Sequence, residues 1–177
     1  MAYKKLLRST SSTAGFSILE MLVIVIMVGI LAAIAAPGWL GYLNRQRISR
    51  ARGELAQALQ QAQIDASQQN QTRVVKISSA NPPQIEISST PTAAGRVIEL
   101  GEQNSELNLT GGGPSGGAAS VSFDYKGTVT SGNLPFVFSV TSDNASANNV
   151  RCVVVSTLLG NLVQAEGNEC NDVSGLN

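Results

Sequence analysis

Glu20 is the first residue in this chain whose chemistry demands a partner. It is the only charged residue between Arg8 and Arg45, and Met21–Asn44 after it carries no charge for 24 positions. A carboxylate in such surroundings costs about 2.5–3.5 kcal/mol on insertion scales, so it calls for a cation or a place at the headgroup boundary. The other reactive groups offer little catalysis. Histidine is absent and the only thiols are Cys152 and Cys170. That excludes imidazole bases, His-dependent triads and zinc sites of the usual kind. The two cysteines form neither a CxxC redox pair nor a metal set. Asp124, Tyr125 and Lys126 come nearest to a polar cluster, and they read as a strand end. With no nucleophile–base pair to name, no enzymatic activity, metal or cofactor is expected.

The segment that holds Glu20 is long enough to cross a bilayer. At about 1.5 Å per residue, Met21–Asn44 spans the ~30 Å hydrocarbon layer. Its most apolar part, MLVIVIMVGILAAIAA from Met21 to Ala36, is hydrophobic all round, the pattern of a helix in lipid or at a deeply buried packing site. The block is too long for an ordinary secretory signal, and no clean small-residue cleavage site follows it. Lys4, Lys5 and Arg8 ahead of it put that end in the cytoplasm and the long remainder outside. Arg45, Arg47, Arg50 and Arg52 follow it on the outer side, against the same rule. They read as a solvated collar where the helix leaves the membrane, or as partners for acids on neighbouring subunits.

The formal net charge is zero, but the distribution is uneven. From Gly53 onward five basic residues stand against eleven acids, a balance of −6. That sign, with only 5% aromatic residues for base stacking, argues against nucleic acid as a partner.

After Pro37 the pattern becomes amphipathic. Ala51, Leu55, Ala58, Leu59, Ala62 and Ala66 recur at helical spacing, and glutamines fill most other positions. One helix from about Ser17 to Gln69 is expected, bent or locally unwound near Gly29 and Pro37. From Arg73 the period changes to two. Strands are expected at Arg73–Ile77, Gln84–Ser88, Arg96–Leu100, Glu106–Leu109, Val121–Tyr125, Phe136–Thr141 and Arg151–Ser156, and a flexible loop or hairpin tip at Thr110–Ser120.

Gly15-Phe16-Ser17-Ile18-Leu19-Glu20 before Met21-Leu22-Val23-Ile24 resembles the processing site of type IV prepilins and pseudopilins. The leader is short and basic, it ends in Gly, and Glu is fifth in the chain that would remain. Gly29 and Pro37 match positions where such proteins often carry helix-weakening residues. The resemblance implies an α+β pilin fold, a long N-terminal helix packed on small antiparallel β-sheets. It divides the chain into a prepilin leader (1–15), a transmembrane and assembly helix (16–44), an amphipathic stem (45–70) and an extracytoplasmic β domain (71–177). It implies cleavage after Gly15 and N-methylation of Phe16 by a prepilin peptidase. Glu20 would then pair with the terminal amine of a neighbouring subunit.

Within the superfamily, Val121–Gly127 and Arg151–Ser156 followed by Leu159-Gly160 resemble the GspH/FimT group of minor pilins and pseudopilins. The implied role is a structural subunit of a type II secretion pseudopilus or a type IV pilus, contributing to fibre initiation and protein secretion. Its partners would be other pilin-like subunits, the peptidase, an inner-membrane assembly platform and membrane lipid. The location implied is single-pass in the bacterial inner membrane. A pilus-tip binding module, such as a DNA-uptake receptor, is the alternative. Some members of the group bind DNA through a Gly-Arg-x-Arg turn, but here the positions read Gly160-Asn161-Leu162-Val163. Outside the cytoplasm Cys152 and Cys170 are placed to form a disulfide that would tie a flexible tail, Glu166–Asn177, to a core strand; two free thiols are the alternative.

Overall fold

The computed structural model describes residues 15–78, 80–101, 106–113, 120–130, 134–142 and 149–173. The leader before Gly15 and positions 114–119 of the expected glycine-rich loop lie outside them. One helix, α1 (Ile18–Gln69), precedes β1 (Arg73–Ser78), β2 (Gln84–Ser88), β3 (Arg96–Glu99), β4 (Leu107–Gly112), β5 (Ser120–Phe123), β6 (Phe136–Ser142), β7 (Arg151–Val155) and β8 (Leu162–Glu166). A 3-10 turn, Gly167–Cys170, follows. The chain divides into two compact units, Met1–Leu40 and Gly41–Asn177.

In the first unit α1 starts where Ser17 caps it. The Ser17 carbonyl accepts from Met21 N at 3.1 Å and its Oγ from Leu19 N at 3.3 Å. Ile18–Ala35 has a mean hydropathy of 2.9 and none of it is buried within the protein. Of the two forms expected near Gly29 and Pro37, bent or locally unwound, the unwinding is not found, because α1 runs as helix through both. A proline removes one donor from the ladder, and the helix continues past this loss.

In the second unit the later part of α1 forms the core. Ala51, Leu55, Ala58, Leu59, Ala62 and Ala66 are buried as their spacing requires, and Ile48 and Ala56 join them. The five alanines keep this face low, so strands from both sheets reach it. The sheets are antiparallel, in the orders β3-β2-β1-β5 and β4-β6-β7-β8. Val75, Ile85, Val121 and Phe123 from the first, and Phe136, Phe138, Val140, Val153 and Val155 from the second, complete one apolar cluster with the helix.

Three expectations need correction. The first concerns Thr110–Gly112, which belongs to β4 and pairs with Ser139, Phe138 and Val137, so the expected loop starts later. Gly111 packs closely there, since a Cβ on it would lie 2.1 Å from Ile77 Cδ1 and would displace the end of that side chain. The second is Tyr125, which sits exposed in a turn beyond β5 and does not continue its alternation. The third is the late segment, which is ordered further than its sequence indicated. β8 pairs with β7, the 3-10 turn buries Cys170, and Val173 packs on a second cluster of Cys152, Val154 and Ala165. That cluster covers the face of β7 turned away from the main core.

Candidate assembly site

Gly15 and Phe16 lie outside helical structure, immediately ahead of α1. Glu20 is in the first turn of α1, where the unpaired backbone N–H groups and the helix dipole favour an anion. Around it Phe16, Ile18, Leu19, Met21 and Leu22 are all exposed. Glu20 is therefore a single carboxylate at the start of an apolar, uncovered surface.

The arginines at the other end of the uncharged stretch occupy different faces. Arg45, Arg47 and Arg50 are exposed, whereas Arg52 is half-buried and its Nη1 donates to Ala165 O at 3.4 Å. A uniform solvated collar is therefore the wrong description of this group. The signal was present in the sequence. Arg45, Ile48, Arg52 and Leu55 are spaced 3, 4 and 3 apart, which puts both arginines on the stripe that packs against the sheets. On the next turn Glu54 Oε2 accepts from Gly101 N at 2.8 Å and fixes the chain after β3 to the helix.

Gln63, one of the glutamines expected on the solvent face, is instead a clamp. Its Nε2 donates to Gly127 O at 2.8 Å and to Leu159 O at 3.0 Å, joining two turns to α1. Gly160 closes the second turn with a φ of 74°, and a Cβ there would meet Gln63 Nε2 at 2.5 Å. The turn leaves Leu158, Leu159 and Asn161 exposed.

Asp124 organises the other turn and has no catalytic arrangement around it. Its Oδ1 accepts from Lys126 N at 2.9 Å and Thr128 N at 2.8 Å. Burial by itself would raise the Asp124 pKa, but the hydrogen bonds from Thr128 and Lys126 outweigh it and hold the carboxyl below its usual range. Glu86 is lowered as well, first by the 2.6 Å bond from Gly95 N, then by Lys76 at 3.3 Å across the β1–β2 pair. Depressed folded values mean that the unfolded chain takes up protons more readily. The stability these groups contribute is complete above their ordinary values of 4.5 and 3.8 and is lost as pH falls through the lower folded values. Melting of the full chain in detergent should hold steady down to about pH 5 and then decline toward pH 3 or so, with Glu86→Gln flattening part of that decline. A melting temperature unchanged across this range would rule out both carboxylates as contributors.

Cys152 and Cys170 are bridged, with their Cα atoms 5.8 Å apart. The bond crosses from the central strand β7 to the turn after β8, and no free thiol remains.

No family model matches the chain. It is 40% identical over 42 residues to a type IV major alpha-pilin of Moraxella bovis, a stretch covering 24% of this chain and 26% of that protein. It is equally identical over 42 residues to fimbrial protein Q of the same organism, covering 24% and 27%. The chain thus spans about a quarter of the length of the curated relatives it matches. Among solved structures, the type IV minor pilin FimU of Pseudomonas aeruginosa superposes with a TM-score of 0.53 at 19% identity, covering 70% of this chain and 92% of that one. The minor pseudopilin EpsH from the type 2 secretion system of Vibrio cholerae gives a TM-score of 0.51 at 15% identity, covering 68% and 97%. At these identities the likeness is one of fold.

Proposed function

The chain carries the pilin fold, and from that premise we infer that it is a minor pilin or pseudopilin, a structural and non-enzymatic subunit of a type IV pilus or type II secretion pseudopilus. The observation that carries this reading is the division of labour along α1. Residues Ile18–Ala35 are apolar and uncovered, whereas Ile48–Ala66 build the core of a folded domain. A helix of that kind holds its domain at a membrane and keeps an apolar surface free for similar helices.

In this reading a membrane peptidase cuts after Gly15 and methylates the amine of Phe16. The subunit waits in the inner membrane with its N-terminus cytoplasmic and its β domain outside, until an assembly platform draws it into a fibre. Glu20 and a neighbour's terminal amine are each costly alone in hydrocarbon, and they offset one another only in the correct axial register. Glu20 therefore selects register and carries out no chemical step. A tip receptor for DNA has less support, because the late turn carries Asn161 and Val163 where that reading needs arginines.

Glu20→Ala tests the proposal. The variant should insert into membranes and be cleaved like the parent. Its incorporation into sheared fibres should fall more than tenfold or so, since one unpaired buried charge costs about 3–5 kcal/mol. Incorporation at the parental level would overturn the reading.

A further inference from the structure

The faces of α1 distribute its arginines unequally: Arg45 and Arg52 share the face from which Arg52 reaches β8, and β8 pairs with the strand that Arg151 begins. Arg45 and Arg52 lie seven residues apart, two turns on one face, with the buried Ile48 between them. Arg52 reaches the sheet through its 3.4 Å bond to Ala165 O, while its Nε is buried with no partner. Arg151 starts β7 and pairs with Glu166 at the end of β8, opposite it in register. The Arg151 guanidinium is held below its ordinary range by burial, then by the positive charges of Arg52 and Arg45. Arg52 and Arg45 thus act on the charge of Arg151, and the side chain of the acid paired with Arg151, Glu166, is 56% exposed. Such a cluster repels itself unless an anion is added.

We propose that Arg45, Arg52 and Arg151 form a phosphate site for the headgroup of an anionic phospholipid in the leaflet from which α1 emerges.

The position along the helix favours this ligand. Trp39 and Tyr42 are exposed beyond the apolar run that ends at Ala35, in the place where interfacial aromatics mark the headgroup layer. Arg45 follows Tyr42 by three residues, less than one helical turn further along α1. Phosphate oxygens accept the forked N–H groups of arginine in pairs, and the exposed Arg45 presents such a fork to the outside. A headgroup is also present before any neighbour arrives, so it neutralises the cluster in the unassembled subunit, which a neighbour's carboxylate does not. This further explains why four arginines are tolerated on the outer side of the span, against the usual charge rule. The −6 balance from Gly53 onward disfavours a nucleic acid as the source of the phosphate.

The test uses the full chain in mild detergent, offered equal amounts of phosphatidylglycerol and phosphatidylcholine, with retained lipid counted by native mass spectrometry. Phosphatidylglycerol should be retained in preference. That preference should fall about fivefold in Arg45→Gln and again in Arg52→Gln, the size expected of one arginine at an anionic headgroup. Arg96→Gln, the same charge change on β3 of the other sheet, should leave it intact. Because Arg45 is exposed, its variant tests the site even if Arg52→Gln fails to fold, as circular dichroism would report. Equal retention of both lipids, or an equal loss in Arg96→Gln, would overturn the proposal. So would displacement of the lipid by inorganic phosphate at matching concentration, or arginine-dependent retention of duplex DNA in lipid-free micelles. Self-association lost in Arg45→Gln with lipid retention unchanged would assign the site to a neighbour's carboxylate and overturn it as well. The proposal rests on α1 crossing the membrane. Flotation of the chain with vesicles tests that separately, so the two can fail independently.

Discussion

A chain that begins at Gly41 should fold into a soluble, monodisperse domain, and one that begins at Gln71 should not. The first keeps the whole of the second compact unit, including the stretch of α1 that packs on both sheets. The second loses Ile48, Leu55 and Leu59, each fully buried, together with the alanines between them. Removing three large side chains from the core forfeits about 5–9 kcal/mol of burial, against typical stabilities of about 5–15 kcal/mol. It also opens the inner faces of both sheets, with Phe123, Phe136 and Phe138, to solvent. That product should aggregate on size exclusion and lose its cooperative melt. A stable, monodisperse product starting at Gln71 would mean that the stem is dispensable to the core, and the reading of α1 as a two-part helix would fail with it.

Reducing the Cys152–Cys170 bridge should lower the stability of the domain by about 3 kcal/mol, the chain-entropy expectation for a loop of this length. The melting temperature should drop by roughly 10 °C. The effect is local in origin. The bridge holds β8 and the following turn against the outer face of β7, where Val137, Val150, Val154, Ala165 and Val173 form a small cluster of their own. Hydrogen exchange under reducing conditions should therefore rise first in Leu162–Cys170, while the amides of α1 near Leu55 and Leu59 stay protected. Thermal melts with and without reductant decide the matter, and coincident curves would remove the bridge from the account of stability.

The two results would probe parts of the fold that were unequally visible in the sequence. The helix was legible because its two parts each carry a simple pattern, wholly apolar from Met21 to Ala36 and striped from Ala51 to Ala66. Seven of the eight described strands were visible in their period-two runs, whereas the sequence left the two cysteines either bridged or free, and the structure shows the bridge. β8 was missed because LVQAE is a short edge strand with one buried residue, Ala165, and so shows no alternation. Gly111 and Gly112 read as loop because glycine carries no pattern; Ile77 and Phe136, distant in sequence, are the side chains that crowd a Cβ at Gly111.

Sequence alone determined the presence of Glu20 in an apolar helix, the charge asymmetry, the absence of histidine chemistry and the α+β architecture, since each depends on composition or local period. Only the tertiary structure decided which polar side chains leave the solvent. Gln63 clamps two turns because Gly127 and Leu159 arrive beside it, and Arg52 leaves the solvent because Ala165 of β8 arrives beside its face of α1. Such contacts join residues about 60 to 110 positions apart, and no local pattern encodes them. They depend on how the sheets are laid on the helix, which is set by the shape of the whole core.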